Sequence, residues 1–413
     1  MNVSVAKESG VGERRVAVTP DSVRQIRAAG VPVLVESGAG AGSFHSDESY
    51  VEAGATIVSD PGALWSGAEV LLKIQPPLPH PTLGRHEAEL LPEKSVLVCM
   101  LRPLSNLDLV RTLVRRKITS FSMDAIPRTT RAQRMDALSS MATAAGYKAV
   151  ILAAASAPRF FPMLVTAAGT LAPSRVLVVG AGVAGLQAIA TARRLGAIVE
   201  GYDIRPAVKE EVESLGATFV GPAISKEEAQ DASGYAKALS AEAQQKAKDL
   251  LRARIRQADV VITTARVPGL PAPKLIPAEA VAEMKPGSVI IDLAADMGGN
   301  CELTAPGTEV VKHGVVIHGP VRLAGTLPVH ASQMYSRNIT AFLLLLVKDG
   351  NLVLDFKDDI VRETCVTHDG EIHHAPTRQR IEGAAAGSGA GAASSQGAGA
   401  AAPGTPGAER SSA

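Results

Sequence analysis

The sequence contains 413 residues, with 42 Lys and Arg against 41 Asp and Glu, and 46% of its residues are hydrophobic although only 3% are aromatic. At about 150 residues per domain, this length predicts two to three domains, each large enough to fold without disulfide support. The formal net charge of +1 excludes a global field that would attract nucleic acid or an anionic membrane, and three widely spaced cysteines without a CxxC motif exclude zinc fingers and dithiol redox sites.

The N-terminal third of the chain alternates short apolar, β-rich runs with helical patterns. The first predicted helix begins after Thr19, whose hydroxyl is placed to cap it, and stops at Gly30. This repeated strand and helix order predicts an open, doubly wound, mostly parallel sheet. The predicted strands are Val3–Ala6, Val33–Glu36, Val70–Ile74, Val96–Cys99 and Thr119–Met123.

A second alternation of strands and helices follows a long alanine-rich segment, Arg131–Ala157, which is predicted to be a helix that connects two sheets. Another long helix is predicted at Pro328–Val347, and the short strands Leu352–Asp355 and Glu371–His373 are expected to pack back on the first domain. The strands predicted in the second alternation are Arg175–Val179, Ile198–Tyr202, Val260–Thr264, Val289–Leu293 and Val315–His318.

The predicted fold is therefore α/β, with two Rossmann-like, mostly parallel-sheet domains linked by long helices around a cleft. The first domain is discontinuous and takes residues 1–137 and 327–381, the Rossmann domain takes 138–326, and an Ala/Gly-rich tail takes 382–413. The tail lacks the apolar residues of a core and is predicted to be flexible and disordered. It is either a linker that reaches toward a partner or a terminus without function.

Membrane and metal sites are not predicted. The longest strongly apolar stretches, Ala149–Pro158 and Ala341–Val347, fall short of the roughly 20 residues that cross a bilayer. The single His-Glu pair, His86-Glu87, lacks the second histidine of a zinc-protease helix.

A glycine-rich turn carries the strongest chemical signal. The apolar strand Arg175–Val179 runs into Gly180, Gly182 and Gly185 in a GxGxxG pattern, which predicts a tight turn whose backbone approaches a pyrophosphate at a helix N-terminus. Asp203 ends the next strand, where the fold places the group that bonds the adenosine ribose, and so favours NAD over NADP. The residues predicted to bind the cofactor are Gly180, Gly182, Val183, Gly185, Asp203, Ile204, Arg205, Thr264 and Ala265.

A polar cluster precedes the connecting helix. Gln133, Asp136 and Ser139 are spaced three apart, which predicts one shared helix face, and Arg128 lies close enough in sequence to fold back on them. Such a stripe beside a cleft is able to orient a nicotinamide and its ribose. From spacing alone, however, a capped and solvated helix start is the favoured alternative.

Several longer motifs match a known family. The chain resembles, up to its tail, the NAD(H)-binding components of proton-translocating NAD(P) transhydrogenases, which belong to the alanine dehydrogenase/transhydrogenase family. The matching stretches are Lys7-Glu8 with Gly12–Ala17, Pro127-Arg128 with Arg131–Gln133 and Met135-Asp136, Phe161–Met163, Gly180–Ala192, Gly234–Lys237, and Lys285–Leu293 with Gly298–Cys301.

The resemblance implies a role for each polar residue of the cluster. Arg128, Gln133, Asp136 and Ser139 are expected to contact the nicotinamide as the catalytic set, while Gly234 and Tyr235 are expected on a loop that closes over the bound nucleotide. The expected function is hydride transfer from NADH on this chain to NADP+ on a partner subunit, coupled to proton translocation.

The resemblance also implies the setting of that reaction. The expected partners are a membrane-spanning subunit, an NADP(H)-binding component and a second copy of the chain, without nucleic acid or direct membrane insertion. The expected location is cytoplasmic, at the inner face of the plasma membrane.

Two alternatives stay open. An alanine-dehydrogenase-like enzyme requires a histidine acid/base, and the aligned position holds Arg102, although Arg15, Lys73 and Asp296 keep a substrate-like pocket possible. The other alternative is an NAD-sensing binding module.

Overall fold

The computed structural model of the protein describes residues 1–222, 240–267 and 269–391. Its strands are β1 (Val3–Val5), β2 (Val33–Glu36), β3 (Thr56–Val58), β4 (Val70–Leu72), β5 (Val96–Cys99), β6 (Thr119–Ser122), β7 (Leu164–Thr166), β8 (Gly169–Leu171), β9 (Arg175–Val179), β10 (Ile198–Tyr202), β11 (Thr218–Val220), β12 (Val260–Thr263), β13 (Val289–Asp292), β14 (Glu309–Lys312), β15 (Val315–His318), β16 (Val347–Lys348), β17 (Asn351–Leu352), β18 (Cys365–His368) and β19 (Glu371–Ile372).

The α-helices in the same described ranges are α1 (Pro20–Ala28), α2 (Asp47–Glu52), α3 (Pro61–Ser66), α4 (Glu87–Leu90), α5 (Leu107–Arg115), α6 (Ala137–Ser156), α7 (Val183–Arg194), α8 (Lys209–Ser214), α9 (Ala241–Ile255), α10 (Ala278–Ala282), α11 (Pro328–Leu345), α12 (Asp359–Thr364) and α13 (Ala375–Gly391). Short 3-10 turns occur at Ala41–Ser43, Gln133–Met135, Pro206–Val208, Ala295–Met297 and Leu323–Thr326.

The described strands form two large, mostly parallel sheets, which confirms the predicted fold class. The first runs β19-β18-β6-β5-β4-β1-β2-β3, and the second runs β11-β10-β9-β12-β13-β15-β14. In each sheet the chain starts in the middle, builds outward to one edge and then crosses to the other side. The resulting switch points lie between β1 and β4 and between β9 and β12, where open α/β sheets bind their ligands.

Each sheet is buried on both faces, as near-continuous apolar strands require. Val70 and Leu72 of β4 pack into one hydrophobic cluster, whereas Leu71 between them packs into a second cluster on the opposite face. Val178 and Leu177 of β9 divide between two further clusters in the same way. The alternation along each strand therefore fixes its register against the helices on either side.

Helix α6 joins the two halves of the molecule, as the sequence predicts. Met141 and Ala144 in its first half belong to the core of the first sheet, while Ala149, Val150 and Ala153 belong to the core of the second. The antiparallel strands β18 and β19 add to the edge of the first sheet beside β6. The C-terminal chain therefore returns to the first sheet, as predicted.

Several local predictions were wrong. The helix predicted from Arg131 begins only at Ala137, because the preceding residues form a loop and a 3-10 turn. Thr19 precedes α1, but its hydroxyl donates to Ser336 Oγ at 3.3 Å instead of capping the helix. Strands β3 and β14 were missed because their exposed edge residues weaken the apolar pattern.

Two further points concern the C-terminus and the membrane prediction. Helix α13 continues to Gly391, inside the segment predicted to be a flexible tail from residue 382. Among the described helices, α6 reaches the length and apolar character of a membrane-crossing helix, which the shorter sequence stretches did not indicate. It packs against α7 and α11, and a helix in the core of a globular protein passes the same test.

Candidate functional site

The turn between β9 and α7 has the geometry that its glycines predict. Gly180 adopts a φ of +99°, in the left-handed region, and accepts a hydrogen bond from Thr264 Oγ1 at 3.0 Å. A Cβ added at Gly185 would overlap the Gly180 carbonyl oxygen, so the third glycine permits the close helix approach. The turn therefore directs the N-terminus of α7 at the switch point of the second sheet.

Gly182, the N-cap residue of α7, faces open space. A Cβ built on it would meet no atom of the described residues within 4 Å, and its own φ of −83° is accessible to any residue. Val183 begins the helix and is half exposed. Unpaired helical N–H groups beside an open, uncharged surface form an anion site that a pyrophosphate fits.

The carboxylate of Asp203 lies beside this turn and is almost fully buried. Its Oδ2 accepts the backbone N–H of Ala181 at 2.8 Å, which ties the end of β10 to the glycine turn. Arg205 forms an ion pair with it, donating from Nε to Oδ1 at 3.0 Å and from Nη2 to Oδ2 at 2.8 Å. This side-chain pairing raises the pKa of Arg205 despite partial burial.

The Asp203 geometry sets a condition on ligand binding. With the Arg205 backbone N–H also bonded to Oδ1, the two oxygens accept four donors, which fills the usual lone-pair positions of a carboxylate. Ribose hydroxyls can bond Asp203 only if the Arg205 guanidinium turns aside. Ile204 between them packs on the neighbouring core.

The opposite wall of the switch point is the segment after β12. Thr264 holds the glycine turn, and the Ala265 peptide is held on both sides by Asn300, whose Oδ1 accepts from Ala265 N at 3.1 Å and whose Nδ2 donates to Ala265 O at 2.9 Å. Asn300 is fully buried. Sequence reasoning assigned it no site role, since its contribution depends on a contact 35 residues away along the chain.

The polar cluster is arranged differently from the prediction. Gln133 begins a 3-10 turn, Asp136 is the N-cap of α6, and only Ser139 lies within the helix, so the three do not share a helix face. Asp136 Oδ1 accepts from Ser139 N at 2.8 Å, and Ser139 Oγ donates to Asp136 Oδ2 at 2.6 Å. Gln133 and Arg128 lie on the preceding loop and are exposed.

The cluster and the glycine turn are linked through α6. Gly146 of α6 contacts α7 so closely that a Cβ there would overlap the Ala184 carbonyl oxygen. Ser139 precedes Gly146 by seven positions, which is roughly 10 Å along a helix axis. The polar cluster and the start of α7 are therefore held at a short, fixed spacing.

The residues of the possible substrate pocket are paired with carboxylates of the chain itself. Arg15 donates from Nε to Glu13 Oε1 at 2.7 Å, and the Nζ of Lys73 lies 3.2 Å from Glu87 and 3.6 Å from Glu8. Burial opposes the charge on Lys73, but the two carboxylates outweigh it and raise its pKa. Burial raises the pKa of Glu8 despite Lys73.

Asp296 lies on the other sheet and forms a separate cluster. It pairs with Arg266 of the segment after β12, and its Oδ2 lies 4.0 Å from Arg102 Nη1 of the first sheet. Burial lowers the pKa of Arg266, and Arg102 adds to that effect. Arg102 thus spans the cleft as a charge partner, at the position where a dehydrogenase would need a proton carrier.

Gly234 and Tyr235 lie outside the described residues. Within residues 1–222, 240–267 and 269–391, no group of three or more His, Cys, Asp or Glu side chains could hold a metal ion.

Comparisons with known proteins cover nearly the whole chain. Family models described as "Alanine dehydrogenase/PNT, N-terminal domain" and "Alanine dehydrogenase/PNT, C-terminal domain" match residues 4–145 and 149–375. An NAD(P) transhydrogenase alpha subunit of Rhodospirillum rubrum is 46% identical over 91% of this chain and 98% of that protein.

Two solved structures extend the comparison. The transhydrogenase of Sinorhizobium meliloti superposes with a TM-score of 0.80 at 40% identity, covering 90% of this chain and 100% of that one. An L-alanine dehydrogenase superposes with a TM-score of 0.77 at 26% identity, covering 93% and 99%.

Proposed function

Because the chain belongs to the alanine dehydrogenase/PNT family, we propose that it is the NAD(H)-binding component of a proton-translocating NAD(P) transhydrogenase. Bound NADH would supply a hydride to NADP+ on a partner subunit, leaving NAD+ here and NADPH there, with the transfer coupled to proton movement across a membrane. The identity with the Rhodospirillum rubrum alpha subunit along almost its full length supports this over other members of the family.

The observation that carries NAD(H) binding is the open surface over Gly182. It lies at the switch point, between the backbone N–H groups that begin α7 and the carboxylate of Asp203. The N–H groups would hold the pyrophosphate, and Asp203 would bond the adenosine ribose once Arg205 turns aside. A 2′-phosphate would meet the Asp203 charge, so this site favours NAD(H) over NADP(H).

The proposed task of the polar cluster is orientation. Hydride transfer between two nicotinamides needs near-contact distance and alignment, and it requires no proton carrier. Arg128, Gln133, Asp136 and Ser139 would hold the carboxamide and ribose by hydrogen bonds. The mutual bonds of Asp136 and Ser139 fix those two side chains in advance.

This chain would supply half of an active site. The Rhodospirillum rubrum relative is named as one subunit, so we propose an NADP(H)-binding component and a membrane-spanning subunit as partners of this chain, which would bring it to the inner face of the plasma membrane.

A homodimer is proposed as well. The hairpin β7–β8 and its approach expose Phe160, Met163, Val165 and Leu171, and such an apolar projection is typical of a protein contact. Sedimentation of V165D against wild type tests it. We expect the variant to sediment as a monomer, and a wild-type monomer would exclude the dimer.

An alanine-dehydrogenase-like activity is the second candidate, supported by the retained Arg15, Lys73 and Asp296 and by the superposition on L-alanine dehydrogenase. Arg102 opposes it, because a guanidinium stays protonated near neutral pH and cannot serve as acid and base. We expect no oxidation of NADH when the purified chain is given pyruvate and ammonia. Turnover under those conditions would replace our proposal with the dehydrogenase.

Reconstitution tests the main proposal. The full chain is mixed with the NADP(H)-binding component and membrane subunit, and hydride transfer from NADH to an oxidised NADP analogue is followed by absorbance, with a control that omits the partners. We expect transfer only in the complete mixture. NADH binding without any transfer in that mixture would favour an NAD-sensing module.

A further inference from the structure

The loop that carries Gln133 has little internal structure to hold its shape. Between β6 and α6, its described backbone hydrogen bonds span two or three residues, such as Thr129 N to Pro127 O at 2.9 Å and Met135 N to Ala132 O at 2.8 Å. Such turns curve the chain locally but do not fix the loop against the rest of the molecule. Its orientation therefore depends on contacts to other elements.

Two of these contacts attach the far side of the loop to the first core. The side chains of Ala132 and Met135 are buried in the hydrophobic cluster that includes α11 residues. Asn338 of α11 donates from Nδ2 to the Arg134 carbonyl at 2.8 Å. These contacts lie on either side of Gln133, but neither controls how the segment before it is directed.

Arg131 provides that control through a two-pronged ion pair. Its Nη1 donates to Asp358 Oδ2 at 2.6 Å and its Nη2 to Asp358 Oδ1 at 2.7 Å, and Nη2 also contacts Asp359. Two parallel bonds fix the plane of a guanidinium as well as its position. Arg131 is two positions from Gln133, so a rotation of one moves the other.

Asp358 is itself held in place, which makes it a firm anchor. It is the N-cap of α12, and its Oδ1 accepts Ile360 N at 2.8 Å and Val361 N at 3.3 Å. Ile360 and Val361 are buried in the first core. The hydrogen bonds from Arg131, with those backbone groups, lower the pKa of Asp358 from 3.8 to about 2, so the pair stays charged at neutral pH.

We propose that Arg131 is a positioning residue, which through Asp358 holds the loop so that Gln133 faces the nicotinamide. The inference rests on the proposed function, since it assumes that Gln133 orients the reduced ring. An exposed ion pair contributes little to global stability, so the expected effect is local. A misplacement of about 1 Å can slow a reaction about 100-fold, whereas binding through the distant pyrophosphate is unaffected.

The test compares single and double variants in the reconstituted complex. R131A removes the pair, R131K keeps the charge without the fork, and D358N keeps a capping oxygen while removing the negative charge. R111A is the matched control, because Arg111 makes a similar pair with Asp108 at 2.6 Å and is 48% exposed against 50% for Arg131. Single-turnover hydride transfer and NADH titration are measured for each.

We expect R131A to slow hydride transfer about 10-fold or more while the Kd for NADH changes less than about twofold. R131K should recover part of the rate, the double variant R131A/D358N should be no slower than R131A, and R111A should match wild type. A wild-type rate in R131A, an equal loss of NADH affinity, or additive losses in the double variant would overturn the proposal.

Amide hydrogen exchange separates this inference from the proposed function. If the wild-type complex transfers no hydride, the function fails, but protection of residues 128–136 in the free chain still reports on the clamp. We expect R131A to lose protection there and R111A to keep it. Unchanged protection in R131A would overturn the clamp even if the complex is active.

Discussion

Substitution of Gly182 by alanine separates ligand approach from folding more sharply than any other change at the glycine turn. The added methyl would meet no described atom within 4 Å, and the backbone angles of Gly182 suit alanine. The apo protein should therefore tolerate G182A. In the complex, the same methyl would stand between the backbone and the pyrophosphate.

The expected magnitudes follow from these two environments. Alanine is a poorer N-cap than glycine, but replacing glycine restricts the unfolded chain and returns about 0.4–1 kcal/mol, so stability should change little. Loss of one hydrogen bond to a charged phosphate costs about 1.5–3 kcal/mol, which corresponds to roughly 10- to 150-fold weaker NADH binding.

Isothermal titration with NADH and thermal unfolding of the apo chain measure the two effects. G185A is the matched control, because its Cβ would overlap the Gly180 carbonyl oxygen, and overpacking of this kind costs about 1–3 kcal/mol. We expect G182A to keep the wild-type Tm and lose affinity, and G185A to lose Tm. Wild-type NADH affinity in G182A would refute the pyrophosphate site, and a Tm loss equal to that of G185A would refute the reasoning about open space.

Three further changes test neighbouring parts of the site. Q133A should slow hydride transfer about 10-fold or more with the NADH Kd almost unchanged, by single-turnover assay, and equal losses would remove its orienting role. D203A should weaken NADH and bring NADPH affinity closer to it in paired titrations, since Arg205 would be released toward a 2′-phosphate; an unchanged ratio contradicts this. The depressed pKa of Asp358, about 2, means that its pair with Arg131 contributes fully above pH 4 and is lost as pH falls toward 2. Protection factors at residues 128–136 should fall over that interval in wild type but not in R131A.

The strands and the glycine turn were predictable because their signals are local. β9, β10 and β15 begin and end where their apolar runs do, and the glycine spacing implies its own turn geometry. The edge strands β3 and β14 were not predictable in this way. They are short and partly exposed, so pairing with a neighbour, and not their own pattern, makes them strands.

The site needed contacts that spacing cannot give. A regular spacing of three suggested that Gln133, Asp136 and Ser139 share a helix face, but Asp136 caps the helix instead of lying in it. Asn300 reaches Ala265 across the switch point, and Arg131 reaches Asp358 across the first domain, both over long sequence separations. These partners are chosen by the tertiary fold.

Helix α6 explains why a chain with half of an active site can still orient a ring accurately. Its N-cap, Asp136, belongs to the polar cluster, and its Gly146 contacts the start of α7 more closely than any residue with a side chain would allow. The distance from nicotinamide contacts to pyrophosphate contacts is therefore set by one helix and one backbone contact. The loop that precedes Asp136 is then left with a single orientational freedom, and the bonds of Arg131 to Asp358 oppose it.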